Sequence, residues 1–125
     1  MASPREPARR GRAAEEAAAA LLQQQGWQIL RRNYRTRRGE IDLIARDGAT
    51  IVFVEVKARR AGETSSLEAV DARKRRRIVR AALEFLASRR LRGVAVRFDV
   101  VTVVLGCDGR PQAARVLKNA FAADE

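Results

Sequence analysis

The stretch Gly39–Arg59, "GEIDLIARDGATIVFVEVKAR", decides how this chain is read. It holds two runs of alternating and β-branched residues, "EIDLIA" and "TIVFVEVKA", on either side of Asp47–Gly48. An Asp-Gly pair between two such runs is a strong hairpin signal. If the turn takes the four residues Asp47–Thr50, Arg46 faces Ile51, Leu43 faces Val54, Asp42 faces Glu55 and Glu40 faces Lys57. A two-residue turn would keep the parity but offset the acids. Side chains alternate across a strand, so one face carries Ile41, Leu43, Ala45, Val52, Val54 and Val56 and is wholly apolar. The other carries Ile44 and Phe53 near the turn, then Asp42 and Glu55, then Glu40 and Lys57. Acidic residues directly opposite each other repel, so a sheet shaped for stability alone would avoid that pairing.

A divalent cation turns the repulsion into affinity. Hard oxygen ligands without Cys or His suit Mg²⁺ or Mn²⁺, and Mg²⁺ commonly uses only one or two carboxylates plus waters and substrate phosphate. Lys57 projects from the same face as Glu55 and could stabilise charge developing on a phosphate. The bland alternative is a set of ordinary ion pairs: Glu40 with Lys57, and Asp42 and Glu55 each with an arginine such as Arg35, Arg37 or Arg38. Such pairs are worth under about 1 kcal/mol at a surface.

The rest of the chain frames this hairpin. It has 125 residues, which suits one domain, here 9–125 behind a flexible basic tail at 1–8. "GRAAEEAAAALLQQQG" reads as a helix ending at Gly26, with Ala14, Ala17, Ala18, Leu21 and Leu22 as its apolar stripe. Glu15 lies at the edge of that stripe, half-buried, and Glu16 points away. "WQILRRNYR" reads as the first strand. A second helix runs from about Asp71 to Ser88 with Ile78, Ala82, Phe85 and Leu86 buried and Lys74 one turn earlier on the same face. Asp71 is one candidate N-cap; Ser65 with Glu68 spells a capping box as well. "GVAVRFDVVTVVL" and "QAARVL" are the last strands, and Phe121 docks on the core. The order α-β-β-β-α-β-β gives an α/β fold. It is a mixed sheet flanked by helices, its first hairpin antiparallel and the next connection long enough for a parallel crossover.

Composition narrows the function. Twenty-six Lys and Arg against 15 Asp and Glu give a formal charge of +11. Such a surface attracts polyanions, nucleic acid above all. With no histidine and a single cysteine, Cys107, the chain forms no internal disulfide and has no imidazole for Ser-His or Cys-His catalysis. The lone thiol is expected to be structural. No apolar run reaches membrane-spanning length and the N-terminus lacks a signal-peptide core, so the expected setting is cytoplasmic, away from membranes.

The segments "RRNYRTRRGEIDLIARDGATIVFVEVKAR", "EAVDARKRRRIVRAALEFL", "VRFDVV" and "KNAF" together resemble the YraN-like family of small bacterial proteins. That family in turn resembles the restriction-endonuclease-like superfamily with its PD-(D/E)XK pattern, archaeal Holliday junction resolvases in particular. The resemblance implies a restriction-endonuclease-like fold and a metal-dependent nuclease hydrolysing phosphodiester bonds in DNA, branched or structured DNA included. Mg²⁺ or Mn²⁺ would be the cofactor. It implies that Asp42, Glu55 and Lys57 are catalytic, and that Asp42 and Glu55 hold metal with Glu15, or Glu16 if the first-helix acid aligns one place later. Glu40 would stand behind them. Arg35, Arg37, Arg38, Arg59, Arg60 and Lys74 would grip nucleic acid, DNA more than RNA, and resolvases act as homodimers. A non-catalytic DNA- or RNA-binding protein on the same fold, and a module meeting an acidic protein, are the competing readings.

Overall fold

The computed structural model describes residues 5–62 and 70–123, with side chains from residue 11 onward. Two helices and five strands run in the order α1 (Arg5–Gln24), β1 (Gln28–Arg35), β2 (Glu40–Asp47), β3 (Thr50–Arg60), α2 (Ala72–Ser88), β4 (Val96–Leu105) and β5 (Pro111–Phe121). The strands form one sheet in the order β1-β2-β3-β4-β5. All neighbours are antiparallel except β3 and β4, which run parallel through the α2 crossover.

α1 takes in residues 5–8 of the segment read as a tail. Residues 1–4 lie outside the described residues, as does the Ser65–Glu68 capping box. Pro7 is tolerated because the first turn has no intrahelical partner for a proline nitrogen to miss. Gly26 ends the helix at φ 87°. Its N–H donates to the Gln23 carbonyl and that of Trp27 to the Leu22 carbonyl, each at 3.0 Å, which satisfies the last free carbonyls. α2 starts at Asp71, whose Oδ1 accepts from the Lys74 N–H at 2.8 Å.

The sheet buries both faces. On one, Ala14, Ala18, Ala19 and Leu22 of α1 lie on Leu43, Ala45, Val52, Val54, Val101 and Val103. The alanines let the helix axis approach the strands closely. On the other, Ile78, Ala81, Ala82 and Phe85 of α2 cover Ile44, Phe53, Phe98 and Val100. Aromatic rings cross that second layer: Tyr34 to Phe85 at 5.4 Å, Phe85 to Phe53 at 6.1 Å, Phe53 to Phe98 at 5.5 Å and Phe98 to Phe121 at 5.0 Å. Such pairs add to stability beyond the area they bury. β3 and β4 occupy the centre and read as nearly continuous apolar runs, as strands covered on both faces must.

Three readings of the sequence are corrected. Ile41 lies on the α2 side beside Ile44, not with Leu43. The alternation breaks between the Arg32–Leu43 and Tyr34–Ile41 pairs, where Asn33 of the neighbouring strand has a φ of 52°. β5 continues through "KNAF" to Phe121, bending at Asn119, which also has a φ of 52°. Cys107 is exposed in the turn between β4 and β5 and packs no core.

Arg97 ties the hairpin-turn end of the sheet together. Its Nε donates to both oxygens of the fully buried Asp99 at 3.0 and 3.1 Å, and Nη2 reaches Asp47 at 3.1 Å. Asp99 also accepts from the Asn119 N–H at 3.0 Å.

The turn between β1 and β2 packs directly on α2 at Gly39, where a Cβ would overlap the Arg77 carbonyl. Gly39→Ala is therefore expected to lower stability by about 1–3 kcal/mol, the usual cost of forcing extra volume into a packed site, read as a fall in melting temperature. An unchanged melt would mean that the turn does not press on the helix.

Candidate metal and nucleic-acid site

Beyond its turn the hairpin pairs Asp47 with Thr50, Arg46 with Ile51, Ala45 with Val52, Ile44 with Phe53 and Leu43 with Val54, and then the ladder stops. This is the register read from the sequence, but it does not continue to Asp42 and Glu55. Instead the Asp42 side chain replaces the main chain: its Oδ2 accepts from the Val56 N–H at 2.8 Å. The main-chain ladder ends there, and the Asp42 carboxylate bears electrostatically on the Glu55 carboxyl.

Glu55 is 6% exposed and faces α2. Its partner is neither an arginine nor Lys57 but Lys74, with Nζ 2.9 Å from Oε1. Glu40 pairs with Arg35 at 3.5 Å across β1 and β2, both well exposed, so that pair contributes little. Lys57 lies part-buried on β3, two residues beyond Glu55, and its charge helps to hold the N-cap carboxyl of Asp71 below the usual range, after the larger effect of the Lys74 N–H.

Glu15 is half-buried, as its place on the helix suggests, and Glu16 is exposed. Glu15, Glu40 and Asp42 line a cleft of about 400 Å³ with Arg12, Arg35 and Val56. Burial raises the Glu15 pKa, and the nearby Asp42 charge raises it further. Glu55 is not a wall of this cleft; it meets Lys74 of α2 instead. Among the described residues, no three acidic, histidine or cysteine side chains stand close enough to cage an ion. The donor set that fits is the pair Asp42 and Glu55, hard oxygens from adjacent strands, with water and phosphate completing the shell as Mg²⁺ prefers. Glu15 is near enough for its charge to be felt by Asp42 but stands outside that pair.

Glu55 stands midway along β3 and Asp42 near the start of β2, with the N-terminus of α2 reaching them through Lys74.

Around it the surface is basic. Arg37, Arg38 and Arg60 are exposed, and so are Arg73, Arg76, Arg77 and Arg80 of α2, which the reading of the sequence did not single out. Their signal was available: "ARKRRR" opens a helix with no acid in its first turn. Cations are disfavoured at the positive end of a helix dipole, so this placement runs against helix stability and suits an anionic partner.

The profile of the family described as "Uncharacterised protein family UPF0102" matches residues 14–103. This α/β chain with its paired acids belongs to that family, the YraN-like family whose signature it carries. It is 48% identical to a UPF0102 protein of Moorella thermoacetica over 114 residues, 90% of this chain and 95% of the relative. A relative from Symbiobacterium thermophilum is 49% identical over 112 residues, covering 89% and 94%. One from Halorhodospira halophila is 55% identical over 97 residues, covering 77% and 78%. No helix among the described residues is long and apolar enough to cross a membrane.

Burial, then the Asp42 charge and the hydrogen bond to Asp42, push the Glu55 carboxyl up to about 8 from an ordinary 4.5, against the lowering pull of Lys74. An acid whose pKa is higher folded than unfolded holds more protons folded between those two values. Stability therefore falls as pH rises through that window. The metal-free protein should melt lower at about pH 8 than at about pH 5, and Glu55→Gln, which cannot ionise, should lose less. The gap between them is expected to reach roughly 5 °C at the alkaline end, about 1 kcal/mol for a domain of this size. Parallel pH curves for the two proteins would count against a buried, proton-holding Glu55.

Proposed function

We propose that this protein is a metal-dependent nuclease hydrolysing phosphodiester bonds in nucleic acid, DNA before RNA. The observation that carries the reading is the convergence of Asp42 and Glu55 where the β2–β3 ladder ends. Two carboxyl groups are brought together there, one of them buried. The resemblance to the PD-(D/E)XK pattern and to Holliday junction resolvases supports the same roles.

Asp42 and Glu55 would hold Mg²⁺ or Mn²⁺. Such an ion supplies a bound water of lowered pKa and polarises a phosphoryl oxygen. Asp42 is already oriented by the Val56 N–H, which fixes one of its oxygens. Lys57 offers positive charge to the phosphate as negative charge builds there. Arg37, Arg38 and Arg60, with Arg73, Arg76, Arg77 and Arg80 of α2, supply the backbone grip, which counterion release makes salt-dependent. Arg59 and Arg35 belong to the same surface, Arg35 while also paired with Glu40. Nucleic acid is the proposed partner, the cytoplasm the proposed setting and a symmetric homodimer the proposed assembly, the last by likeness to resolvases.

A second reading has its own support: Lys74 already occupies Glu55 and no three-acid cage is present among the described residues. On that view the fold grips nucleic acid without cutting it.

Cleavage of a panel in Mn²⁺, comprising a four-way junction, linear duplex, single-stranded DNA and RNA, separates the two. The nuclease reading expects cleavage of at least one member, reduced about 100-fold or more in Lys57→Ala and in Asp42→Asn, as removal of a charge-stabilising group does. Binding without cleavage across the panel favours the second reading. Equal cleavage by wild type and Lys57→Ala would assign the activity to another site or another protein.

A further inference from the structure

Lys74, expected from the resemblance to grip nucleic acid, is engaged with Glu55 instead. Its main-chain N–H is fixed by the Asp71 N-cap at 2.8 Å. From that anchored first turn of α2 its side chain crosses to β3 and sets its ammonium 2.9 Å from Glu55 Oε1. The charges of Glu55, Asp42 and Glu40 all act on it. Lys74 is thus in direct contact with the buried member of the carboxyl pair. Lys74 is itself only partly buried, 45% exposed along its side chain, so it can leave toward solvent without disturbing the core.

We propose that Lys74 is the built-in counter-ion of the Asp42–Glu55 pair, seated where it competes with a divalent ion and displaced when that ion binds. The inference rests on reading Asp42 and Glu55 as the metal pair and adds a control to it. A single positive charge with three N–H donors can satisfy one buried carboxylate, but it cannot draw two carboxylates into one coordination shell as a divalent ion does. Exchange is therefore directional: the ion replaces the ammonium only by paying for its removal from Glu55. The released ammonium, still tethered at the N-terminus of α2 among Arg73, Arg76 and Arg77, then lies at the basic surface where a phosphate would arrive. Lys74 is in this account a positioning residue: it keeps Glu55 oriented while metal is absent and yields its seat on loading.

Calorimetric titration with Mn²⁺ alone, without nucleic acid, tests this on the full chain. Lys74→Met should bind Mn²⁺ at least fivefold more tightly than wild type, because no resident cation has to be displaced. Lys74→Arg, which keeps a charge, should stay within about twofold of wild type. Adding Asp42→Asn to Lys74→Met should abolish the gain. If Lys74→Met does not fold, as judged by its melt, Lys74→Gln replaces it with the same expectation. Equal or weaker Mn²⁺ binding by the uncharged variant overturns displacement while leaving the metal pair standing. No binding by either wild type or the uncharged variant overturns the metal pair itself, and the inference with it.

Discussion

The hydrogen bond from the Val56 N–H to the Asp42 carboxylate is the constraint on which the site depends. A β-ladder that ran on past Leu43 and Val54 would hold residues 42 and 55 at ordinary cross-strand spacing, with main-chain groups paired to main-chain groups. Here a side chain takes the acceptor's role where the ladder ends, and the part-buried Val56 donor is still satisfied. Asn33, opposite this place in β1, has a φ of 52°. Ile41 and Tyr34, paired next to it, lie on the α2 face, where they join the layer around Phe85.

The two ends of the hairpin solve opposite electrostatic problems. At the turn, Asp99 is fully buried yet receives Arg97 and the Asn119 N–H, and Arg97 reaches on to Asp47. Every charge there has a close, oriented partner, and removing either member of such a network leaves an uncompensated charge. At the open end Glu55 has a half-exposed lysine and an acidic neighbour, and its carboxyl is pushed toward the neutral form. Acids with pKa values shifted by burial and a neighbouring acid cluster at functional sites. The same chain contains both arrangements, so the incomplete compensation at Glu55 is a property of that place and not of the fold in general.

The hairpin, its register near the turn, α2 with its Asp71 cap, and the parallel β3–β4 crossover could all be read from residue order. Each follows from local rules: an Asp-Gly turn, period-two alternation, an N-cap, a connection too long for a tight turn. The half-buried position of Glu15 was readable for the same reason, since it follows from helical spacing alone. What escaped depends on contacts between distant segments. Nothing near Lys74 says that its partner is Glu55, because the helix has to dock before they meet. Nothing in "RNYR" announces that Asn33 takes a left-handed conformation, and strict alternation puts Ile41 on the face opposite to the one it occupies. Arg97 and Asp99, spaced two apart on one strand, carried a faint signal of a shared face, but Asp47 and Asn119 complete their network from elsewhere.

Asp42 performs its structural duty through an oxygen atom and any chemical duty through a charge, and the two can be separated. An amide carbonyl could still accept the Val56 N–H. A relative carrying asparagine at this position would thus retain its shape, its stability and its arginine-rich face while losing the carboxylate charge on which the proposed metal site rests. In a lineage built on this architecture, the passage from cutting a polyanion to merely gripping one would be a single codon change wide.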